Sequence, residues 1–447
     1  MIDVQIAVDA VRLALERGAT DAECTLADGD EFSARVRMRE LETLKEAGSQ
    51  AAGLRVLMGR RAGSGYTSDL TREGVRQMVE SAVELAGIAT EDPFAGLPDD
   101  NELGSWDGDL KLWSDDVASL EARFKIDEAL AAEQAALAAD ERIVNSEGAS
   151  FDSWTGGRAF ANSRGFAGAY RTSSCSLSVT PVARQDGRME RDYWFSLARS
   201  HAGLEPAAEV GRRAAERALR RLGSRKLPTC KVPVIFEPRT ARTLVGHIFE
   251  AVNGDSVYRS ATFLAGRLGE RAASEQVTVV DDGTIPGLFG SSPFDDEGVP
   301  SRRTVVIERG VLKTWLLNSY AARRLGMKTT GNAARGVAGN ASIGHGNFFL
   351  EPGDKSEQEI VRGIGRGLYV TELIGSGVNI VTGDYSRGAA GLWIEGGEFA
   401  YPVSEITIAG KLPEMLTGIT QVGSELEFRG STASPALVIG EMTVSGR

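Results

Sequence analysis

Histidine is the residue type that most often carries acid–base or zinc chemistry near neutral pH, and this chain of 447 residues has only three: His201, His247 and His345. A zinc hydrolase usually presents two histidines and a glutamate on one helix, as in HExxH, and that motif does not occur here. The nearest arrangement is His247 with Glu250, whose spacing places both side chains on one face of a predicted helix. The pair is the candidate for a metal site. The preferred interpretation is an ordinary helix pair, because nothing completes a ligand set.

A nucleophile is no easier to find, since the sequence has neither GxSxG nor SxxK. The most suggestive serine is Ser386, in the run Asp384, Tyr385, Ser386 and Arg387. No histidine stands near it in the sequence. We therefore predict a structural role for the run, in which Asp384 accepts hydrogen bonds from backbone amides in a turn and forms an ion pair with Arg387. No catalytic residue is assigned.

A second segment of interest runs from Tyr401 to Glu405. Pro402 removes a ladder donor, so this segment is predicted to lie at a sheet edge or a bulge. An edge strand beside a cavity can receive an extended peptide by main-chain pairing, although an ordinary edge strand is the default. The residues predicted to bind a substrate or partner are Asp384, Tyr385, Ser386, Arg387, Tyr401, Val403, Ser404 and Glu405.

The elements that must position these residues fall into two regions. In residues 1–226, amphipathic helices at 2–17 and 71–87 enclose short strand-like runs, and the order helix, strands, helix returns at 120–139 to 206–222. Residues 90–115, rich in Asp, Pro and Gly, are predicted to be a linker or long loop. We predict an N-terminal α/β domain of mixed helices and antiparallel strands, and the repeated order suggests two similar halves at 1–90 and 116–226.

Residues 227–447 have the pattern of a β-rich domain. A buried strand at 231–238 and a helix at 239–252 are followed by hairpin signals, such as the runs 303–308 and 311–317 around Arg309 and Gly310. We predict a large antiparallel sheet or partial barrel with few helices. The fold class is α+β.

Composition excludes several classes of protein. The net charge of −12 argues against direct nucleic-acid binding, which needs a basic face. One basic stretch at 204–226 is interpreted as a solvated helix face. Three scattered cysteines without CxxC indicate a reducing compartment. No signal peptide or membrane-spanning run is seen, so we expect a cytoplasmic protein without membrane contact.

Three long segments resemble one known family. Residues 246–264, 291–333 and 370–410, the last with GDYSRG at 383–388, are similar to the PmbA/TldE subunits of the TldD/TldE proteases, the "modulator of DNA gyrase" family. The resemblance implies a cytoplasmic two-subunit metalloprotease. Its TldD partner carries an H-E-x-x-x-H helix and a cysteine that bind zinc, and the TldE/PmbA subunit lacks them.

Carried onto this chain from the shared Gly254 and Asp255, the partner's ligand helix falls on residues 245–250. Val245 and Glu250 then replace its histidines and Gly246 its glutamate. Residues 430–434 offer only hydroxyls and small side chains where its cysteine lies. The resemblance implies a subunit without zinc of its own, acting with a zinc-bearing TldD-like chain on unfolded peptides, including peptide-antibiotic precursors and small proteins.

Two other functions stay open. The chain could be an autonomous metal-dependent hydrolase using His247 and Glu250 or the Ser386 region. It could also be a regulatory protein that binds gyrase or a toxin–antitoxin pair directly. In the absence of a TldD-like chain, an exposed partner-binding face makes a homodimer plausible.

Overall fold

A computed structural model describes residues 2–446 of the chain. The α-helices of this range are, in chain order, α1 (Val4–Glu16), α2 (Arg72–Ile88), α3 (Asp115–Ser119), α4 (Ala122–Ala138), α5 (Ala207–Leu219), α6 (Pro238–Val252), α7 (Gly254–Tyr258), α8 (Ser319–Leu325), α9 (Glu357–Arg362) and α10 (Leu412–Thr417).

Strands occupy much of the remaining chain, and short 3₁₀ turns lie at Asp100–Glu102 and His201–Gly203. The first strands are β1 (Asp21–Arg37), β2 (Glu40–Met58), β3 (Arg61–Thr67), β4 (Ile143–Asn162), β5 (Ala167–Gln185), β6 (Arg188–Arg191) and β7 (Trp194–Ala198). They are followed by β8 (Cys230–Phe236), β9 (Val279–Asp282), β10 (Arg303–Glu308), β11 (Val311–Leu312), β12 (Ala333–Ala334), β13 (Ser342–Ile343) and β14 (Asn347–Leu350). The last strands are β15 (Arg366–Ile374), β16 (Asp384–Glu395), β17 (Glu398–Lys411), β18 (Ile419–Val422), β19 (Thr432–Ala433) and β20 (Leu437–Ser445).

The N-terminal sheet is antiparallel, with the order β3-β2-β1-β4-β5-β6 and β7 beside β5. Four of its strands are long and unbroken where the sequence predicts shorter runs. Gly29 and Gly156 lie inside these strands, at positions where neighbouring atoms approach the backbone closely. A Cβ on Gly29 would lie 2.7 Å from the Trp154 indole nitrogen. Glycine therefore marks close packing here rather than a turn.

Helices cover one face of this sheet in two groups. Helices α1 and α2 pack with β1, β2 and β3 around alanine-rich positions such as Ala10 and Ala82, whereas α4 and α5 pack with β4 and β5. Helices α4 and α5 cross closely, since a Cβ on Gly211 would lie 2.3 Å from the Ala132 carbonyl. The two helix-and-strand groups join through the β1–β4 pairing.

The predicted linker is an ordered segment that packs against the C-terminal region. The Arg323 guanidinium donates hydrogen bonds to the carbonyls of Phe94, Gly96 and Leu97. Backbone bonds also run from Gly104 and Trp106 to residues 298 and 293. These contacts tie the segment to the rest of the molecule.

The C-terminal region contains two main sheets, and the α+β fold class is confirmed. One sheet has the order β17-β16-β15-β8-β20-β18, and an added β17–β20 pairing closes five of these strands into a barrel. The predicted partial barrel is thus present, and in this sheet the β8–β15 pairing is parallel whereas the other pairings are antiparallel. The other sheet has the order β11-β10-β9-β14-β19. Helix α6 belongs to the large apolar core of this region.

A buried ionic network joins the N-terminal sheet to the C-terminal region. Glu23 on β1, only 2% exposed, lies 2.7 Å from Arg55 and 2.8 Å from Arg335. Burial acts to raise the pKa of Glu23, but Arg335 and Arg55 more than offset it and hold that pKa below its usual value. Arg158 on β4 adds a 2.8 Å pair with Asp296. The two regions are therefore fixed to each other by paired charges. Within residues 2–446, no helix combines the length and apolarity that crossing a membrane requires.

Candidate functional site around helix α6

Helix α6 carries His247 and Glu250, and it lies beside two further residues that the sequence singled out, Tyr385 and Arg387. It begins with Pro238 in its first turn, where proline is well tolerated, and its apolar stripe includes Leu244, Val245 and Ile248. This stripe faces the core and fixes the rotation of the helix. Arg239 and Arg242 lie near the N-terminal end of the helix, and His247 and Glu250 lie nearer its C-terminal end.

At the C-terminal end, His247 is held without a hydrogen bond. Its Nδ1 lies 3.6 Å from a carboxylate oxygen of Glu250, too far for a good hydrogen bond. Both ring nitrogens are buried, and neither has a partner among the described residues. Burial lowers the pKa of His247, and Glu250 only partly offsets this. Burial therefore favours the neutral form of the imidazole.

The start of β16 supplies the other wall of this end. Because successive strand residues face opposite ways, Tyr385 and Arg387 face inward, whereas Asp384 and Ser386 are exposed. The Tyr385 ring meets the His247 ring edge-on at 6.3 Å. The Tyr385 hydroxyl and the Arg387 Nε also lack partners in the described part of the chain. We call His247, Tyr385 and Arg387 the α6–β16 cluster.

The prediction of an ion pair between Asp384 and Arg387 is wrong. Asp384 instead lies 3.2 Å from the Lys411 ammonium and accepts a hydrogen bond from the Thr382 hydroxyl. The physical reason is the strand, because alternation sends Asp384 and Arg387 to opposite faces. Ser386 is exposed on the face away from His247.

The segment from Tyr401 to Glu405 lies on β17 and contains the predicted bulge. The register with β16 shifts after Val403, and Glu405 adopts a positive φ of 51°. Its outer edge is already paired within the chain: Pro402 accepts from the Arg225 amide at 3.1 Å and Ser404 donates to the Arg225 carbonyl at 3.2 Å. A peptide pairing at this edge would have to displace Arg225.

At the N-terminal end of α6, charges are paired. Glu237 precedes the helix, is 4% exposed, and lies 2.8 Å from Arg217 and 3.2 Å from Arg220. The basic stretch at 204–226 is therefore only partly the solvated face that the sequence predicted. Arg212 fits that prediction, but Arg217 and Arg221 turn inward into ion pairs.

The residues at the family's zinc position do not fit a zinc ion. Val245 is 1% exposed and belongs to the apolar core, Gly246 has no side chain, and Glu250 is half exposed. Ser434, near the expected cysteine position, is buried and donates to the Pro435 carbonyl. Among residues 2–446, no group of three or more His, Cys, Asp or Glu side chains is arranged to hold a metal ion.

The other two histidines and two of the cysteines pack against, or are buried among, other parts of the fold. His345 packs edge-on against Phe249 at 4.6 Å, and burial lowers its pKa. His201 lies 3.6 Å from Glu128. Burial raises the pKa of both Cys24 and Cys175 to about 12. These two thiols therefore stay protonated and unreactive.

Comparison with known proteins matches one family along most of the chain. Models of the PmbA/TldA metallopeptidase domain 1, central domain and C-terminal domain match residues 22–86, 115–222 and 229–446. The metalloprotease PmbA of Escherichia coli O157:H7 is 40% identical, over 99% of this chain and 97% of its own length. A PmbA homologue of Haemophilus influenzae is 36% identical over 98% and 94%.

Solved structures share the fold over nearly the whole chain. A candidate modulator of DNA gyrase from Bacteroides thetaiotaomicron superposes with a TM-score of 0.92 at 27% identity, covering 99% of this chain and 98% of its own. TldE from Thermococcus kodakarensis gives a TM-score of 0.89 at 23% identity, covering 99% and 100%, a likeness of fold alone. Taken with the three matched domains, these relatives establish that the chain belongs to the PmbA/TldD family of metallopeptidases.

Proposed function

We propose that this chain is the TldE/PmbA-like subunit of a cytoplasmic two-subunit metalloprotease. It has no catalytic zinc site of its own. It helps to enclose and bind unfolded peptides, such as peptide-antibiotic precursors and small proteins, while the zinc lies in a TldD-like partner. In the absence of that partner, the chain forms a homodimer.

The observation that carries the proposal is the contrast between a family fold and the contents of helix α6. The chain matches a protein named as a metalloprotease along nearly its full length, and it shares the fold of a solved candidate modulator of DNA gyrase. Yet Val245 points into the core and Gly246 lacks a side chain. Zinc needs several nitrogen, sulfur or oxygen donors that converge on one point, and these positions cannot supply them.

A second observation supports the enclosing role. Residues 40–50 of β2 are all exposed, including Leu41 and Leu44 at 48% and 49%. β3 covers the outer edge of β2 only from Ala52 onward. Within the described range, the rest of this long strand projects beyond its neighbour. Such an unpaired edge is a natural place for another chain to add.

The test combines metal content and peptidase activity, measured on the purified chain alone and after mixing with a TldD-like chain. We expect neither zinc nor cleavage from the chain alone, and both from the mixture. Stoichiometric zinc together with chelator-sensitive cleavage by the chain alone would contradict the proposal.

A second candidate, an autonomous metal-dependent hydrolase, is favoured by one observation: among residues 2–446, neither ring nitrogen of His247 has a hydrogen-bond partner, and Glu250 lies close by. The substitution His247→Ala separates the two. It should abolish any activity of the lone chain if His247 binds a metal. It should leave the activity of the mixture intact if the zinc lies in the partner.

A further inference from the structure

A cavity of about 250 Å³ lies at the N-terminal end of α6, between α5, the end of β19 and the loop before it. Five arginines and three glutamates line it. The volume is below the range of about 300–1,000 Å³ that is typical of drug-sized ligands. The cavity is therefore suited to a single residue or a small anion rather than to a long ligand.

Most of these charges already have partners. Glu237 is bound by Arg217 and Arg220. Arg429 pairs with Glu427 at 2.7 Å and with Glu205 at 3.0 Å. Glu357 accepts a hydrogen bond from the Tyr369 hydroxyl at 2.6 Å. These carboxylates are thus committed to groups within the chain.

Two guanidinium groups remain under-used. Arg242 donates one hydrogen bond, 3.2 Å long, to the Arg429 carbonyl, and no described carboxylate lies within ion-pair distance of it. Arg239 lies 3.8 Å from Asp192, donates a long hydrogen bond of 3.4 Å to the Tyr193 carbonyl and stacks over the Tyr193 ring, but its buried Nε has no hydrogen-bond partner among the described residues. Burial lowers the pKa of Arg242, and the neighbouring Arg239 and Arg429 lower it further. An anion placed between these groups would relieve that repulsion.

The rest of the lining distinguishes a peptide from a simple inorganic anion. Trp194, Pro238 and Ala433 provide apolar surface beside the arginines. Thr432 and Ala433 form β19, the terminal strand of the five-stranded sheet, which pairs with β14 on one side only. An edge strand offers backbone groups to an extended chain, whereas a free phosphate would use neither feature.

We propose that Arg239 and Arg242 form a site for the C-terminal carboxylate of a peptide. The fork of an arginine matches the two oxygens of a carboxylate. The apolar wall receives the residue that carries it. This inference rests on the proposed peptide-binding function and adds which end of the peptide this subunit recognises.

The experiment titrates the full-length chain with three probes. The first is a short glycine-, serine- and alanine-rich peptide with a free C-terminal carboxylate, the second is the same peptide amidated, and the third is inorganic phosphate. Trp194 reports the site through its fluorescence, since it lies 4.1 Å from Arg429. Because the chain has six tryptophans, a Trp194→Phe variant identifies the signal that comes from this position.

We expect the free acid to bind about tenfold more tightly than the amide, as the loss of a charge-assisted hydrogen bond predicts. Arg242→Gln should reduce the acid to the affinity of the amide, and Arg239→Gln should act in the same direction. The control Arg123→Gln removes an arginine that is 79% exposed on α4 and should change nothing.

Equal affinity of the acid and the amide would overturn this inference while leaving peptide binding, and hence the proposed function, in place. Binding of phosphate alone would overturn the assignment to a peptide. Binding of neither peptide would overturn the inference, and the mixing experiment with the TldD-like chain would then decide the proposed function separately. The comparison of acid with amide uses the wild-type chain, so it stands even if a variant fails to fold.

Discussion

The two ends of helix α6 differ in how their buried ionisable side chains are paired. At the N-terminal end, Glu237 is almost fully buried but is matched by Arg217 and Arg220. At the C-terminal end, the imidazole of His247, the hydroxyl of Tyr385 and the Nε of Arg387 are buried without partners in the described chain. Both environments lie along one helix of fifteen residues.

The difference shows what each end is suited for. A charge that is buried and paired has already formed its interactions, so the ion pairs around Glu237 hold the helix in place and leave the Arg242 guanidinium and the Nε of Arg239 available. Buried polar groups without partners cost stability and keep unused hydrogen-bonding capacity. The first end is therefore a framework beside a pocket, and the second is a site of local instability.

The largest effect should come from breaking the paired end. Arg217→Met keeps much of the side-chain volume but leaves Glu237 and Asp192 with weaker partners, because Arg217 contacts both. We expect the free energy of unfolding to fall by about 3 kcal/mol, as for other broken buried ion pairs. Urea denaturation measures it.

The matched control is Arg212→Met on the same helix, since Arg212 is 50% exposed. An exposed pair contributes about 0–1 kcal/mol, so this variant should unfold close to the wild type. Equal stability of the two variants would mean that pairing does not distinguish the N-terminal end.

Two tyrosines sharpen the comparison with effects of opposite sign. Tyr385→Phe removes a buried hydroxyl without a partner and should stabilise the fold by about 1 kcal/mol. Tyr369→Phe removes a hydroxyl that donates to Glu357 at 2.6 Å and should destabilise it by about 1 kcal/mol. Chemical denaturation of both variants gives the two values. Loss of stability in Tyr385→Phe would show that its hydroxyl has a partner after all.

The smallest effect concerns the pH dependence of the unpaired end. Burial lowers the pKa of His247 in the folded state, so below the unfolded value of about 6.5 the unfolded chain binds the proton more readily. Stability should therefore fall as the pH drops below about 6.5, by linkage. His247→Phe should remove this part of the pH dependence, as measured by urea titrations at pH 5 and pH 7. An unchanged slope in the variant would contradict the lowered pKa.

Local patterns in the sequence identified most of the elements. Helix α6, predicted at residues 239–252, begins at Pro238 and ends at Val252, because its apolar spacing and proline start are local signals. The sequence predicts only shorter strand-like runs within β1 and β4, whereas the structure has single strands that continue through Gly29 and Gly156. Only their cross-strand neighbours show why glycine is needed there.

The α6–β16 cluster could be predicted only in part. His247 and the run 384–387 were each singled out, but as separate candidates. Period-two alternation along a strand could have placed Tyr385 and Arg387 on one face and so excluded the Asp384–Arg387 pair. Nothing local indicated that this face would meet His247, because that contact depends on how β16 lies in the barrel.

What the sequence determined by itself was the family resemblance, the α+β class and the absence of an HExxH motif, because these depend on the order and identity of residues along the chain. Tertiary structure alone decided which charges are paired. Arg217, Arg242 and Arg429 are the same residue type in the sequence. In the structure, Arg217 pairs with Glu237, Arg429 stacks on Trp194, and Arg242 has no described carboxylate within ion-pair distance. The physical reason is that the pairing and burial of a charge depend on neighbours that are distant in the chain, and packing alone brings those neighbours together.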